Sequence, residues 1–344
     1  MGNPIAGWQD AYYMIATTSI TESPDFSGVS EPGTYGTGKP LCFLRNHPSF
    51  DINKGIIAAR KATGRAYIMK GNTTRIERTP GTVAPTTSYE MDLDYDSCFI
   101  PLFTFFQDTD ADVTSGAVMT FAPYASSTVS VYAALLRTTE TGYSHKIVGA
   151  IPNSITIKGE ESDSVQMTVE WTGADMSTAV SSSVPNWATG TSQSFKLFQD
   201  LTFQYETTGA AMATADLVGF EVTMTNNVVA KHYDHASMQR HILGDLDVSG
   251  TFRVPWSSTN GGKNEFLTRL LDGNDLRVYI YWGSVDGTTV GDFAIKLNVE
   301  VDTATLSGGE EEAINEVAFT GIYDATYNPI EIVTKSNVSR LTGY

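Results

Sequence analysis

One acidic hairpin is written twice in this chain. Ser154 to Gly173 reads SITIKGEESDSVQMTVEWTG, and Thr303 to Gly321 reads TATLSGGEEEAINEVAFTG. Each is an alternating run, a Gly-Glu turn and a second alternating run that closes on Thr-Gly. Strict period two is the signature of a half-buried strand. The recurrence also extends upstream. TSYEMDLDYD, from Thr87, sets Tyr89, Met91, Leu93 and Tyr95 on one face. GDLDVSGTFRV, from Gly244, does the same with Leu246, Val248, Phe252 and Val254.

Each of these strands leads into a short helical pattern. In the second half Asn264 is placed to act as N-cap, Phe266/Leu270 and Leu267/Leu271 are spaced four apart, and Gly273 supplies the stop. In the first half CFIPLFTFFQD, from Cys98, is apolar nearly all round, so it should be deeply covered. Strand, helix and hairpin thus occur twice in one order, which predicts a tandem duplication. The expected division is an N-terminal arm (1–53), a first β domain (54–175), a linker (176–193), a second β domain (194–324) and a C-terminal tail (325–344). The linker is rich in Ser, Thr, Gly and Pro, as a boundary should be. The arm should drape over its own domain or a neighbour. Aligned back from Gly173 and Gly321, Trp171 meets Phe319 and Val169 meets Val317, but Met167 meets Asn315, so a one-residue bulge or deletion is expected in the second copy.

Composition agrees with β structure. Charged residues are 18% of the chain, and 39 acids against 22 bases give a net charge of -17. The polar surface therefore leans on Ser, Thr, Asn and Gly, which favours strands and turns. Strong acidity opposes holding nucleic acid by its phosphates, yet suits a surface that DNA must not adhere to. Two cysteines, Cys42 and Cys98, without metal-type spacing point to reduced, partly buried thiols. No basic, apolar leader is visible at the N-terminus, and no run nears the ~18 to 20 apolar residues that span a bilayer. A product made in a cytoplasm, with no membrane partner, is the expectation.

Most chemical motifs fail on inspection. GTYGTGKP (Gly33–Pro40) fits a phosphate-loop spacing, but Pro40 stands where a magnesium-binding hydroxyl is needed. His232, His235 and His241 lack a completing ligand set, so no metal or other cofactor is expected. Glu160, Glu161, Glu310 and Glu311 lie in turns, where carboxylates stay solvated, and no nucleophile elbow accompanies them. An enzyme is not expected. The strands carry the stronger signal. Glu90, Asp92, Asp94 and Asp96 alternate along one face, with Asp245 and Asp247 in the second copy and Glu300 and Asp302 on KLNVEVD. That pattern fits either a solvated outer face or an acidic wall beside passing DNA. Lys54, Arg60, Lys61, Arg65, Lys70, Arg75 and Arg78 form the one basic region, suited to an acidic neighbouring subunit or to a solvated loop.

The glycine-rich arm YGTGKPLCFLR, the alternating strand feeding a short helix, and the repeated hairpin ending in Thr-Gly resemble the major tail tube proteins of long-tailed, siphovirus-like bacteriophages. That resemblance implies a mainly β fold of sandwich or barrel-like domains, here two in tandem, each with a short flanking helix, between extended arms. It implies rings whose inner sheets form one barrel, stacked into a tube. The tube would assemble on a tape-measure protein with tail-end proteins and conduct the genome without binding it. It implies a virion protein synthesised in the bacterial host cytoplasm. Two domains per chain would give a trimeric, pseudo-sixfold ring, with Glu90, Asp92, Asp94, Asp245, Asp247, Glu300 and Asp302 facing the lumen. The arm would bridge stacked rings. Other readings are a β-sandwich adhesin or carbohydrate-binding module, with Trp187, Trp256 and Trp282 as stacking surfaces, a tail terminator, or a capsid decoration protein.

Overall fold

Both acidic hairpins fold where their alternation places them. In the computed structural model the described residues are 11–17, 39–40, 44–46, 49–60, 77–94, 98–107, 117–123, 132–138, 143–180, 195–207, 211–231, 240–255, 262–308 and 313–335. The first half contains β1 (Ala11–Thr17), β2 (Lys39–Pro40), β3 (Ser49–Arg60), β4 (Glu77–Asp92), α1 (Phe99–Phe106), β5 (Val118–Phe121), β6 (Tyr132–Thr138), β7 (Tyr143–Glu160), β8 (Gln166–Thr172) and β9 (Asp175–Val180). The second contains β10 (Thr202–Glu206), β11 (Met212–Ala215), β12 (Gly219–Thr225), β13 (Val229–Lys231), β14 (Arg240–Ile242), β15 (Asp247–Pro255), α2 (Gly262–Asp272), β16 (Leu276–Trp282), β17 (Phe293–Gly308), β18 (Ala313–Gly321) and β19 (Ile330–Lys335). The fold is mainly β, and its ladders are antiparallel.

The same pairings recur in the two halves. β4 lies between β3 and β8, and β15 between β12 and β18. β1 and β10 pair with β6 and β16. Each long strand then serves two sheets. The first part of β7 sits between β6 and β9, its last part beside β8. β17 does likewise with β16, β19 and β18. A bulge follows each change of partner by a few residues, Asn153 in β7 and Asp302 in β17. An extra residue bends a strand and increases its twist. The two bulges lie opposite matching residues, Trp171/Glu170 and Phe319/Ala318. Neither the bulge nor the deletion expected near Asn315 is found in β18, which runs in register through that residue; Asn315 is 5% exposed at the place of Met167.

Several strands cross the expected divisions. β3 runs through residues 53 and 54, β9 begins the linker, and β19 lies in the tail, where it pairs with both β17 and β5. β1 and β2 of the arm complete the sheet of β6.

The layers are closed by aromatic side chains. Phe252 stacks on Phe319 at 4.4 Å between ring centres and meets Phe203 at 5.5 Å. Every residue of α1 is buried, as its all-round apolarity predicts. Pro101 falls in its first turn, where a missing N–H breaks no helical bond, and Gln107 ends it at φ 55. α2 begins at Gly262, so Asn264 lies inside the helix and is not its N-cap. Gly273 does end it: at φ +64 its N–H donates to the Arg269 carbonyl at 2.9 Å. Phe266 is buried against Tyr205, whereas Leu271 is 76% exposed.

The two halves are joined edge to edge. Residues 154–160 of β7 pair over Gly219–Thr225 with β12 on one side, and residues 154–158 pair with β8 on the other. This produces an eight-strand run in the order β3, β4, β8, β7, β12, β15, β18, β17. Gly159 is opposite Phe220 in that joint, and a Cβ on it would lie 2.6 Å from the Phe220 ring and 2.9 Å from Phe198. Both rings are buried and have little room to yield. Gly159→Ala should therefore cost about 1–3 kcal/mol in urea unfolding, the range for overpacked cores. Glu161→Ala, in the exposed turn, should stay within about 0.5 kcal/mol.

Candidate functional site

The eight-strand run has two faces of opposite character. One row crosses seven strands as Met91, Met167, Ile157, Val222, Gly250, Phe319 and Val301, and its side chains are buried. The adjacent row on the other face reads Glu90, Thr168, Thr156, Thr223, Ser249, Thr320 and Glu300. Alternation generates both rows, because antiparallel partners point the same way and neighbours along a strand point opposite ways. At the joint itself the Thr156 and Thr223 hydroxyls lie 3.0 Å apart and hydrogen-bond.

Four of the seven acids singled out in the sequence fall on this polar face by register: Glu90, Asp92, Asp247 and Glu300. Asp302 is the exposed bulge residue, whose carboxylate accepts a bond from Thr320 Oγ1 at 2.8 Å. Asp245 is exposed just before β15. Asp94 departs from the expected alternation. β4 ends at Asp92, the chain turns toward α1, and Asp94 is fully buried and bridges to Phe195. Its neighbour Lys196 donates to the Gly291 carbonyl, and burial pushes that lysine's pKa down against the pull of nearby acids including Asp94. The same face holds acids that the strand reading missed, Glu170 and Glu221, visible only once partners are known. Two bases temper it. Lys158 lies 3.7 Å from Glu90 and Arg253 3.1 Å from Glu160.

The basic residues are placed differently. Arg60 and Arg78 belong to the β3–β4 ladder, where they are opposite Glu77 and Ala59. Lys61, Arg65, Lys70 and Arg75 lie outside the described residues. So do Asp96, Cys42, His232, His235, Glu310, Glu311, Trp187 and Trp256. His241 is buried, 6.0 Å from the Tyr132 ring. Trp282 is 4% exposed, and its indole N–H donates to the Leu197 carbonyl at 2.8 Å. It is a core residue and offers no stacking platform.

An arginine that drew no notice in the sequence fixes the end of the acidic strand. Arg45 Nε donates to Asp92 at 2.6 Å and its Nη2 to Asp163 at 2.7 Å, while Ser164 Oγ donates to Asp92 at 2.6 Å. The Arg45 N–H also bonds the Glu90 carbonyl at 2.8 Å, so residues 44–46 extend the sheet beside β4. The guanidinium holds the Asp163 carboxyl well down, at about 2.

This polar face crosses seven strands and is rich in threonine and carboxylate. A family model for phage tail tube proteins matches residues 28–321, which takes in the whole eight-strand run. The chain belongs to the phage tail tube family. It is a structural protein of the virion tail that self-assembles into the tube. No curated protein matches its sequence. Among the described residues no helix is long and apolar enough to cross a membrane.

For the Arg45 cluster the sign is fixed by the lowered carboxyl. Its contribution is complete above the ordinary carboxylate range and is lost as pH falls from there through about 2. Arg45→Ala should return the Asp163 titration toward the ordinary range, read by carboxyl chemical shifts, and should flatten the acid limb of the stability curve.

Proposed function

We propose that this tail tube protein builds closed trimeric rings, pseudo-sixfold because each chain supplies two similar sheet segments, and that the rings stack into a conduit for the genome. The observation that supports this most is the intrachain joint of β7 and β12, which links two like sets of strands into one sheet with a buried apolar face and a polar face. We read the recurring connectivity as a tandem duplication, with β1 to β9 as one copy and β10 to β19 as the other. Repeating the joint around an axis is a heterologous contact that closes into a ring. It also removes the exposed edges that a sheet must otherwise protect.

Three chains contribute three times eight strands. At a strand spacing of ~4.8 Å and a tilt of ~35–45°, such a barrel has a radius of about 22–26 Å. The apolar face packs outward on the second layer, and Glu90, Asp92, Asp247 and Glu300 line the lumen with Thr156, Thr223 and Thr320. An acidic lining repels phosphate, so DNA passes without a bound state. The tape-measure protein and tail-end proteins are the further partners in this reading. Ring-to-ring bridging falls to those parts of residues 1–53 outside β1, β2 and β3, since those strands belong to the chain's own sheets.

Negative-stain microscopy of concentrated protein should show rings or tubes with a central hole. A monodisperse monomer at every salt and concentration would refute the reading. Replacing Glu90, Glu221 and Glu300 together by Lys should leave tubes of normal length and lower genome delivery at least about tenfold, more at low salt than at high. These three are chosen because Asp92 is held by Arg45 and Asp94 is buried. Unchanged delivery from such tubes would remove the lumenal assignment.

A further inference from the structure

Ile157 and Leu306 occupy the same place in the two hairpins, opposite Met167 and Asn315. Ile157 is fully buried, yet Leu306 is 54% exposed. The difference is one strand. β12 covers the free side of β7 from Ser154 to Glu160, whereas among the described residues no strand pairs that side of β17 beyond its bulge. At the far end of the run β3 pairs with β4 as β12 pairs with β15, and among the described residues its other edge has no partner. The chain thus ends in the two halves of a joint it has already made once.

We infer that β17 of one copy pairs antiparallel with β3 of the next, in the register of the intrachain joint. The inference rests on the self-assembly reading and specifies which edges meet. The register follows from the pairings. Val222 is opposite Gly250, Phe50 is opposite Thr87, and Gly250 and Thr87 are opposite the matching residues Phe319 and Trp171. Because Val222 meets Ile157, Phe50 of one copy meets Leu306 of the next. Ile52 then meets Ala304, and Asp51 meets Thr305. The apolar types at 50 and 52 match Val222 and Met224.

The bulge adds a second match. In the intrachain joint the Asn226 N–H donates to the Asn153 carbonyl at 2.9 Å, and the Val228 N–H to Asn153 Oδ1 at 3.0 Å. Asp302 holds the place of Asn153, and Lys54 follows Asn53 in β3 as Asn226 follows Thr225 in β12. The main-chain bond can therefore recur between the Lys54 N–H and the Asp302 carbonyl, whereas the Asn226 side chain turns away and donates to the Phe105 carbonyl at 2.9 Å.

Single-cysteine copies test this in trans. Thr305→Cys and Asp51→Cys stand at the positions of Thr156 and Thr223, whose hydroxyls are 3.0 Å apart. Mixed under assembling conditions and mildly oxidised, they should give a reducible dimer that neither copy gives alone. A chain carrying both changes should give a ladder that ends at the ring. Thr303→Cys with Asp51→Cys, two residues out of register, should give none. Rings that form without the Thr305–Asp51 link, or that link equally in the shifted pair, overturn the register and leave self-assembly standing. A wild-type chain that never forms rings overturns both.

Discussion

Through residues 154–158, β7 has a partner on each edge, and Ile155 and Ile157 are wholly lost from water there. Hydrogen bonds alone do not hold such a joint, since water satisfies an exposed edge and each exchanged bond nets only about 0.5–1.5 kcal/mol. The apolar row decides it. Met167, Ile157 and Val222 are side by side across the joint, and burying each such side chain contributes about 1.5–3 kcal/mol. β7 and β17 are each long enough to do two jobs: the first part of each pairs with β6 and β9 or with β16 and β19, and the last part with β8 or β18. The bulges at Asn153 and Asp302 add local twist just past the change of partner.

The character of the polar face follows from the same row. Once one face is committed to the core, every intervening residue is turned outward, and the sequence there is mostly threonine with carboxylates. Threonine is suited to a strand by its branched Cβ and to water by its hydroxyl. The few bases are set against acids, Lys158 near Glu90 and Arg253 near Glu160. The face therefore keeps a negative character without an unopposed cluster.

Much of this was legible in the residues, and the failures are physical. Alternation located β4, β8, β15 and β18, because a half-buried strand has to alternate. All-round apolarity announced the buried α1. What alternation cannot give is the partner. β12 shows the same period as any strand, and nothing local tells that it lies on β7. Gly159 looked like turn chemistry for that reason, whereas its backbone is ordinary and its need is room for Phe220. Asp94 kept the period after the strand had ended. Arg45 was hidden in a glycine-rich arm, 47 positions from the Asp92 it holds. Trp282 looked like an exposed platform because a strand residue's depth depends on the other sheet.

Inside the chain, β7 and β12 are tethered and meet at high effective concentration. The joint inferred between copies has no tether, and molecules of net charge -17 repel as they approach. Salt that screens this repulsion favours the encounter. What the inferred joint can gain is apolar burial, since Leu306 is 54% exposed where Ile157 is fully buried. Its outcome is thus a balance between screened repulsion and the apolar row, as the intrachain joint balances the ordering of two strands against the same row.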